Sequence, residues 1–218
     1  MKALLLATVV SLAFAAPAGA AQIAAFGQTS GSNTFTATVD ATDTVTTFTV
    51  DNASTDVTQL FGNSPMAGVF FNLSASSIDA VSGVGSALLQ HYSGTFCISS
   101  AANCGGVDIL SGTFTDAAFG AAGGTGLVVN VSSPPDTLVL SSSILPASDL
   151  IAPTSFNLAL SNLTPALASI GSTIAPFDAS FAGTASSAVA AVPEPATIGI
   201  LALGVLALGT LRRRTIGG

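Results

Sequence analysis

Thr34-Phe35-Thr36-Ala37-Thr38-Val39 and Thr46-Thr47-Phe48-Thr49-Val50 are two runs in which apolar and hydroxyl-bearing side chains alternate, with Asp40 to Thr44 between them. A period of two puts the apolar side chains of each run on one face of an extended strand. The polar segment Asp40-Ala41-Thr42-Asp43-Thr44 carries turn residues. Together they predict a β-hairpin with one face turned to a core. Working outward, further strands are expected at Gly68 to Leu73, Gly94 to Ile98, Ile109 to Thr115, Leu127 to Val131, Thr137 to Leu140, Ser155 to Leu160 and Phe177 to Phe181. Gly, Pro, Asn and Asp separate nearly all of them, and short strands at this spacing predict an all-β domain, an antiparallel β-sandwich or jelly-roll-like fold. Helix is expected only for a turn or two, at Ser86 to Tyr92 and at Pro165 to Ile170. The thirteen Phe, most of them in strand windows, are the expected core.

Charge narrows the function. Of 218 residues only 7% are charged, and no Lys or Arg occurs from Ala3 to Leu211, a stretch that holds ten Asp and one His. Phosphate backbones are bound by Lys and Arg, so nucleic acid is excluded as a partner. The P-loop lysine and Schiff-base lysine are missing as well, and no cofactor is expected.

The N-terminus reads as a signal peptide over residues 1–20. Lys2 is followed by an apolar stretch from Ala3 to Ala16 and by small residues ending in Ala18-Gly19-Ala20, the three-part layout of a segment removed on export. The apolar stretch is shorter than the roughly 20 residues that span a bilayer.

At the other end, residues 192–218 hold Val192-Pro193-Glu194-Pro195, the apolar run Ala196 to Leu211, and Arg212-Arg213-Arg214. Two prolines around a glutamate cannot continue a helix or a central strand, so this tetrapeptide is expected to be extended and accessible. As a helix the apolar run would be about 24 Å long, enough to cross a membrane when the arginines snorkel to the headgroups and fix the end in the cytoplasm. The tail resembles the PEP-CTERM sorting signal of Gram-negative bacteria, carried by Pro193, Glu194 and Pro195, the transmembrane helix and the Arg cluster. That resemblance implies recognition and cleavage near the Pro-Glu-Pro segment by the membrane enzyme exosortase, an inner-membrane-anchored precursor, and onward sorting to the cell surface or extracellular matrix. It leaves the β-rich exported domain, residues 21–191, unassigned.

Within that domain, Cys97 and Cys104 bracket six residues, and in an exported protein such a pair predicts a disulfide closing a hairpin loop. The alternative, a metal site built from His91 and both thiolates, lacks a fourth ligand of usual spacing. His91 is the single imidazole through which a Ser-His-Asp device would have to work, and no Gly-x-Ser-x-Gly elbow accompanies it. Asp40 with Asp43, or Asp108 with Asp116, could be nominated as a glycosidase pair only arbitrarily; turn and edge positions are the simpler reading, and no catalytic residue is assigned. Gly120 to Gly126 lacks the lysine and the strand-to-helix setting of a phosphate loop. Asn52, Asn72, Asn130 and Asn162 fit Asn-x-Ser/Thr, as chance matches do in so Ser/Thr-rich a chain. The sequence Ser-Gly-Thr-Phe occurs twice, at Ser93 to Phe96 and Ser111 to Phe114, and reads as two strand starts of similar chemistry.

Two functional classes follow. The first is a non-enzymatic surface or matrix protein associated with exopolysaccharide or other envelope components. The second is an exported calcium- or carbohydrate-binding β-sandwich module, against which the absence of Trp counts, since sugar faces stack on aromatic rings.

Overall fold

The structure, a computed structural model, describes residues 21–29, 33–84, 87–120, 126–130 and 136–188. The expected signal peptide, the sorting tail with its helix, and residues 121–125 of the glycine-rich run lie outside the described residues.

The hairpin that opens the sequence reading is present. Strands β2 (Phe35–Val39) and β3 (Thr46–Leu60) pair antiparallel from Phe35↔Val50 to Val39↔Thr46. Their turn is held by Asp40, whose carboxylate accepts from the backbone N–H of Thr44 and Val45 at 2.7 and 2.9 Å. From β3 the chain meanders through β4 (Met66–Ser77), β6 (Ala87–Ala101) and β7 (Gly105–Gly120), with the short edge strand β5 (Ser82–Val84) against β6. β10 (Ser155–Thr164) and β13 (Phe177–Ser187) pair with each other along most of their length.

Two strand positions are each filled by a broken strand. β1 (Ala21–Gln28) lies between the C-terminal halves of β3 and β13, and β2 between their N-terminal halves. Likewise β8 (Gly126–Asn130) pairs with one end of β7, and β9 (Thr137–Ser141) with Ser111 to Thr115 of β7. Because β8 also pairs with β10, and β6 with β7, the ladder returns to its start and forms one sheet folded into two facing walls. All the pairings are antiparallel. A 3-10 turn (Ala147–Asp149) and the hairpin β11–β12 (Ser169–Ile170, Thr173–Ile174) complete the described elements.

Between the walls lies the core, in which ten of the twelve phenylalanines among the described residues are buried. Rings from strands that are not neighbours meet there: Phe71 of β4 and Phe181 of β13 at 4.9 Å, Phe96 of β6 and Phe156 of β10 at 4.1 Å, Phe48 of β3 and Phe119 of β7 at 4.8 Å. This is the sandwich-like packing the alternation implies. Each buried Phe contributes on the order of 2 kcal/mol by leaving water.

Neither segment expected to be helical is helical among the described residues. Leu88, Gln90 and Tyr92 are all buried at period two, so residues 87–92 of the segment expected to be helical from Ser86 to Tyr92 are the start of β6, and Ser86 lies outside the described residues. Gln90 disguised that strand, since a polar side chain at an inward position is tolerated only when it is fully hydrogen-bonded. At Pro165 to Ile170, residues 165–168 are irregular and Ser169 and Ile170 open the β11–β12 hairpin.

Three Asx residues make the strands bend. Asn52, Asp116 and Asn162 have φ of 49°, 61° and 56°, and each sits at a register shift: in β3 against β4, β7 against β6, and β10 against β13. An extra residue in the left-handed region is the geometry of a β-bulge, and Asn and Asp tolerate it better than other non-glycine residues.

Candidate functional site

The repeated Ser-Gly-Thr-Phe segments are cross-strand partners. In the β6–β7 ladder Thr95 faces Thr113, while Gly94 faces Phe114 and Phe96 faces Gly112, so each copy sets its Phe against the other's Gly. At Gly112 the fit is close: a Cβ there would lie 2.5 Å from Phe96 Cε1. The phenylalanines go inward, and the threonines, one residue away, go outward.

Following that register sideways gives two parallel rows on the outer face. Ser74, Thr95, Thr113 and Val139 form one, and Asn72, Cys97, Ser111 and Ser141 the other. With neighbouring strands about 4.8 Å apart, each row runs for about 14 Å across four strands. The face is concave. All eight residues line a groove of about 410 Å³, together with Val50, Asp51, Leu73, Phe96, Cys104 and Gly112, a volume within the range of about 300 to 1,000 Å³ typical of ligand sites. Asp51 is its one charged residue. Asn72 Oδ1 accepts from the Asn52 N–H at 2.9 Å, while Asn72 Nδ2 is buried with no hydrogen-bond partner; the same holds for Asp108 Oδ1, whose other oxygen accepts from Ser111 Oγ at 2.8 Å.

The Cys97–Cys104 pair forms the expected disulfide, with Cα atoms 5.9 Å apart, which removes both thiolates from any metal site. It closes the β6–β7 hairpin, whose turn residues Asn103 and Cys104 have φ of 56° and 55°, as a type I′ turn requires. Asn52 grips that turn, donating through Nδ2 to Asn103 Oδ1 at 2.9 Å and accepting from the Asn103 N–H at 2.5 Å. One end of the groove is therefore fixed covalently and by paired amides.

The remaining candidates are not brought together. His91 Nδ1 lies 2.5 Å from Asp79 Oδ2, and the same carboxylate accepts the His91 N–H at 2.9 Å; this pins the Ile78–Val81 segment to β6. Asp40 is committed to its turn, and hydrogen bonds from the Thr42 hydroxyl and from the Val45 and Thr44 amides hold its carboxyl well below the usual carboxylate range. Asp108 and Asp116 stand eight residues apart on one strand, roughly 26 Å by the strand rise, too far for a glycosidase pair at about 5 to 9.5 Å. Asn52 and Asn162 of the sequons are the bulge residues, and the Asn130 side chain lies outside what is described. Among the described residues no group of three His, Cys, Asp or Glu side chains is placed to hold a metal ion, and no helix is long and apolar enough to cross a membrane. The groove was not read from the sequence, although the duplicated Ser-Gly-Thr-Phe marked its centre.

Comparison with known families adds the sorting signal. Residues 191–214 match the family model described as the PEP-CTERM protein-sorting motif. The chain is a PEP-CTERM motif-containing protein. The match takes in Pro193, Glu194 and Pro195, the apolar run and Arg212 to Arg214. A PEP-CTERM motif marks an exported protein that is targeted to exosortase and membrane-anchored before processing. No curated protein and no solved structure matches the chain.

Proposed function

We propose that this PEP-CTERM protein is a non-enzymatic component of the cell surface or extracellular matrix. Exosortase cleaves it near Pro193-Glu194-Pro195, and its β-rich domain associates with exopolysaccharide or other envelope components. The observation that carries this reading is the union of the sorting motif at 191–214 with a disulfide-closed β domain that has no Lys or Arg. A domain built for the outside gains from a covalent clip, and its ten Asp keep it soluble and repel other anions. Neither His91 nor the Asp residues converge on a reaction centre, which supports association over catalysis.

Intact-mass measurement of the protein recovered from the surface or medium of its native host tests the reading. A chain starting near Ala21 and ending near the Pro-Glu-Pro segment is the expected result. A chain still carrying Leu211 and the arginines would overturn the surface assignment and leave a membrane-anchored protein.

A further inference from the structure

We infer that the groove across β3, β4, β6, β7 and β9 is a binding site for a neutral polysaccharide chain. The inference rests on the envelope-association reading and gives it a site and a ligand class. Its lining supplies what such a ligand needs and little that another would use. Ser74, Thr95, Thr113, Ser111 and Ser141 offer hydroxyls in two rows, each able to donate and accept except Ser111, whose O–H is given to Asp108 and which is left as an acceptor. A chain of sugar hydroxyls presents the same mixed chemistry along its length, and the rows extend far enough to meet more than one sugar.

Charge decides between neutral and anionic chains. Without a Lys or Arg from Ala3 to Leu211, nothing in the groove can neutralise a uronate, sulfate or phosphate, and Asp51 at its edge would repel one. Apolar contact comes from the threonine methyl groups and from Val139, whose side chain is 70% exposed beside Thr113. These take the place of the aromatic platform, because Tyr92 is wholly buried. Asn72 Nδ2 is a second pointer. A buried amide donor left unpaired is unfavourable unless something satisfies it, and Asn72 lines the groove. The disulfide and the Asn52–Asn103 pair hold one end of the site in place before any ligand arrives, which lowers the ordering cost of binding.

Affinity electrophoresis of the processed protein from its native host, through gels containing dextran, laminarin, hydroxyethylcellulose or alginate, tests this. At least one neutral polysaccharide is expected to retard the protein, with little dependence on salt. The Thr95→Val/Thr113→Val variant, which keeps the shape and removes two central hydroxyls, is expected to bind at least tenfold more weakly, and Thr38→Val on distant β2 to bind unchanged. Val139→Glu, at a position too exposed to affect folding, provides a second block and is expected to weaken binding equally. Retardation by alginate alone, by none of the four, or undiminished in both groove variants would overturn the assignment. Surface retention in the host separates the two readings. Retention of wild-type protein that no neutral polysaccharide retards defeats the groove and leaves the envelope role, whereas wild-type protein absent from the surface defeats the envelope role itself.

Discussion

Gln90 and Thr173, 83 residues apart in sequence, meet inside the protein, where the Gln90 amide donates to the Thr173 hydroxyl at 3.1 Å. The rest of that amide is also used. Its Nε2 donates to Asp79 O at 2.8 Å, and its Oε1 accepts from Tyr92 Oη at 2.9 Å and from the Ile174 N–H at 3.2 Å. Thr173 in turn meets the buried Thr46 hydroxyl, which donates to Ile174 O at 2.7 Å. One polar side chain thus ties β6 to the β11–β12 hairpin and to the Asp79 segment.

Replacing Gln90 by Leu keeps the volume and strands several of those partners, at about 1 to 3 kcal/mol for each buried group left unpaired. We expect Gln90→Leu to lose about 3 kcal/mol in urea denaturation, and Tyr92→Phe, which leaves Gln90 Oε1 its Ile174 donor, only about 1 kcal/mol. Equal losses would show that the amide does not organise the network.

The disulfide closes a loop with a sequence separation of 7. Chain-entropy reasoning gives such a loop about 2 to 3 kcal/mol. Cys97→Ser/Cys104→Ser is expected to lower stability by that amount while the far-ultraviolet spectrum stays that of a β protein. A loss below about 1 kcal/mol would mean that Asn52 and the turn hold the hairpin without the bond.

How much of this was legible depends on phase. The β2–β3 hairpin could be read because its alternation is unbroken from Phe35 to Val39 and from Thr46 to Val50. Beyond Asp51 the buried positions change from even to odd, with Val50 followed by Ala53, Thr55 and Val57, because the Asn52 bulge inserts a residue. A period-two reading stops there and misses the second half of β3. β1 adjoins the expected export cleavage point and carries a weak pattern. The groove is a property of register: Ser-Gly-Thr-Phe is visible twice in the sequence, but only strand pairing shows that Thr95 faces Thr113 and that Val139 continues the row.

Gly112 offers a test of the inward side of that pairing. Phe96, which fills the space where its Cβ would be, stacks on Phe156 at 4.1 Å and so has little room to withdraw. Gly112→Ala is expected to cost about 1 to 3 kcal/mol, the usual range for overpacking. Gly27→Ala, whose Cβ would meet Ala182 Cβ at an ordinary 3.8 Å, is expected to be near neutral. Thermal melts of the two variants side by side distinguish crowding from a general penalty on alanine in strands.

In acid, stability is lost at Asp40. Its carboxyl titrates below the usual range because the Thr42 hydroxyl and the Val45 and Thr44 amides bond its charged form. A depressed folded pKa adds stability above the unfolded value of about 3.9 and loses it as pH falls further. Wild type is therefore expected to melt above Asp40→Asn at pH 7, with the gap closing progressively below about pH 4. A gap unchanged down to pH 2 would mean that the turn does not depend on the charge.

In alkali the β-rich domain is nearly silent, which makes Tyr92 readable. Residues 21–191 hold no Lys or Arg and a single Tyr, and both cysteines are in the disulfide. Burial raises the Tyr92 phenol well above its ordinary pKa of about 10, although a hydrogen bond with Thr46 pulls the other way. The folded protein then keeps its proton where the unfolded chain releases it, so stability is complete below pH 10 and falls as pH rises beyond it. For one proton the slope is about 1.4 kcal/mol per pH unit. Urea denaturation from pH 9 to pH 11.5 is expected to show that decline in wild type and to lose most of it in Tyr92→Phe. Parallel curves for the two proteins would place the phenol in contact with water and break the link from Tyr92 to the Gln90 network.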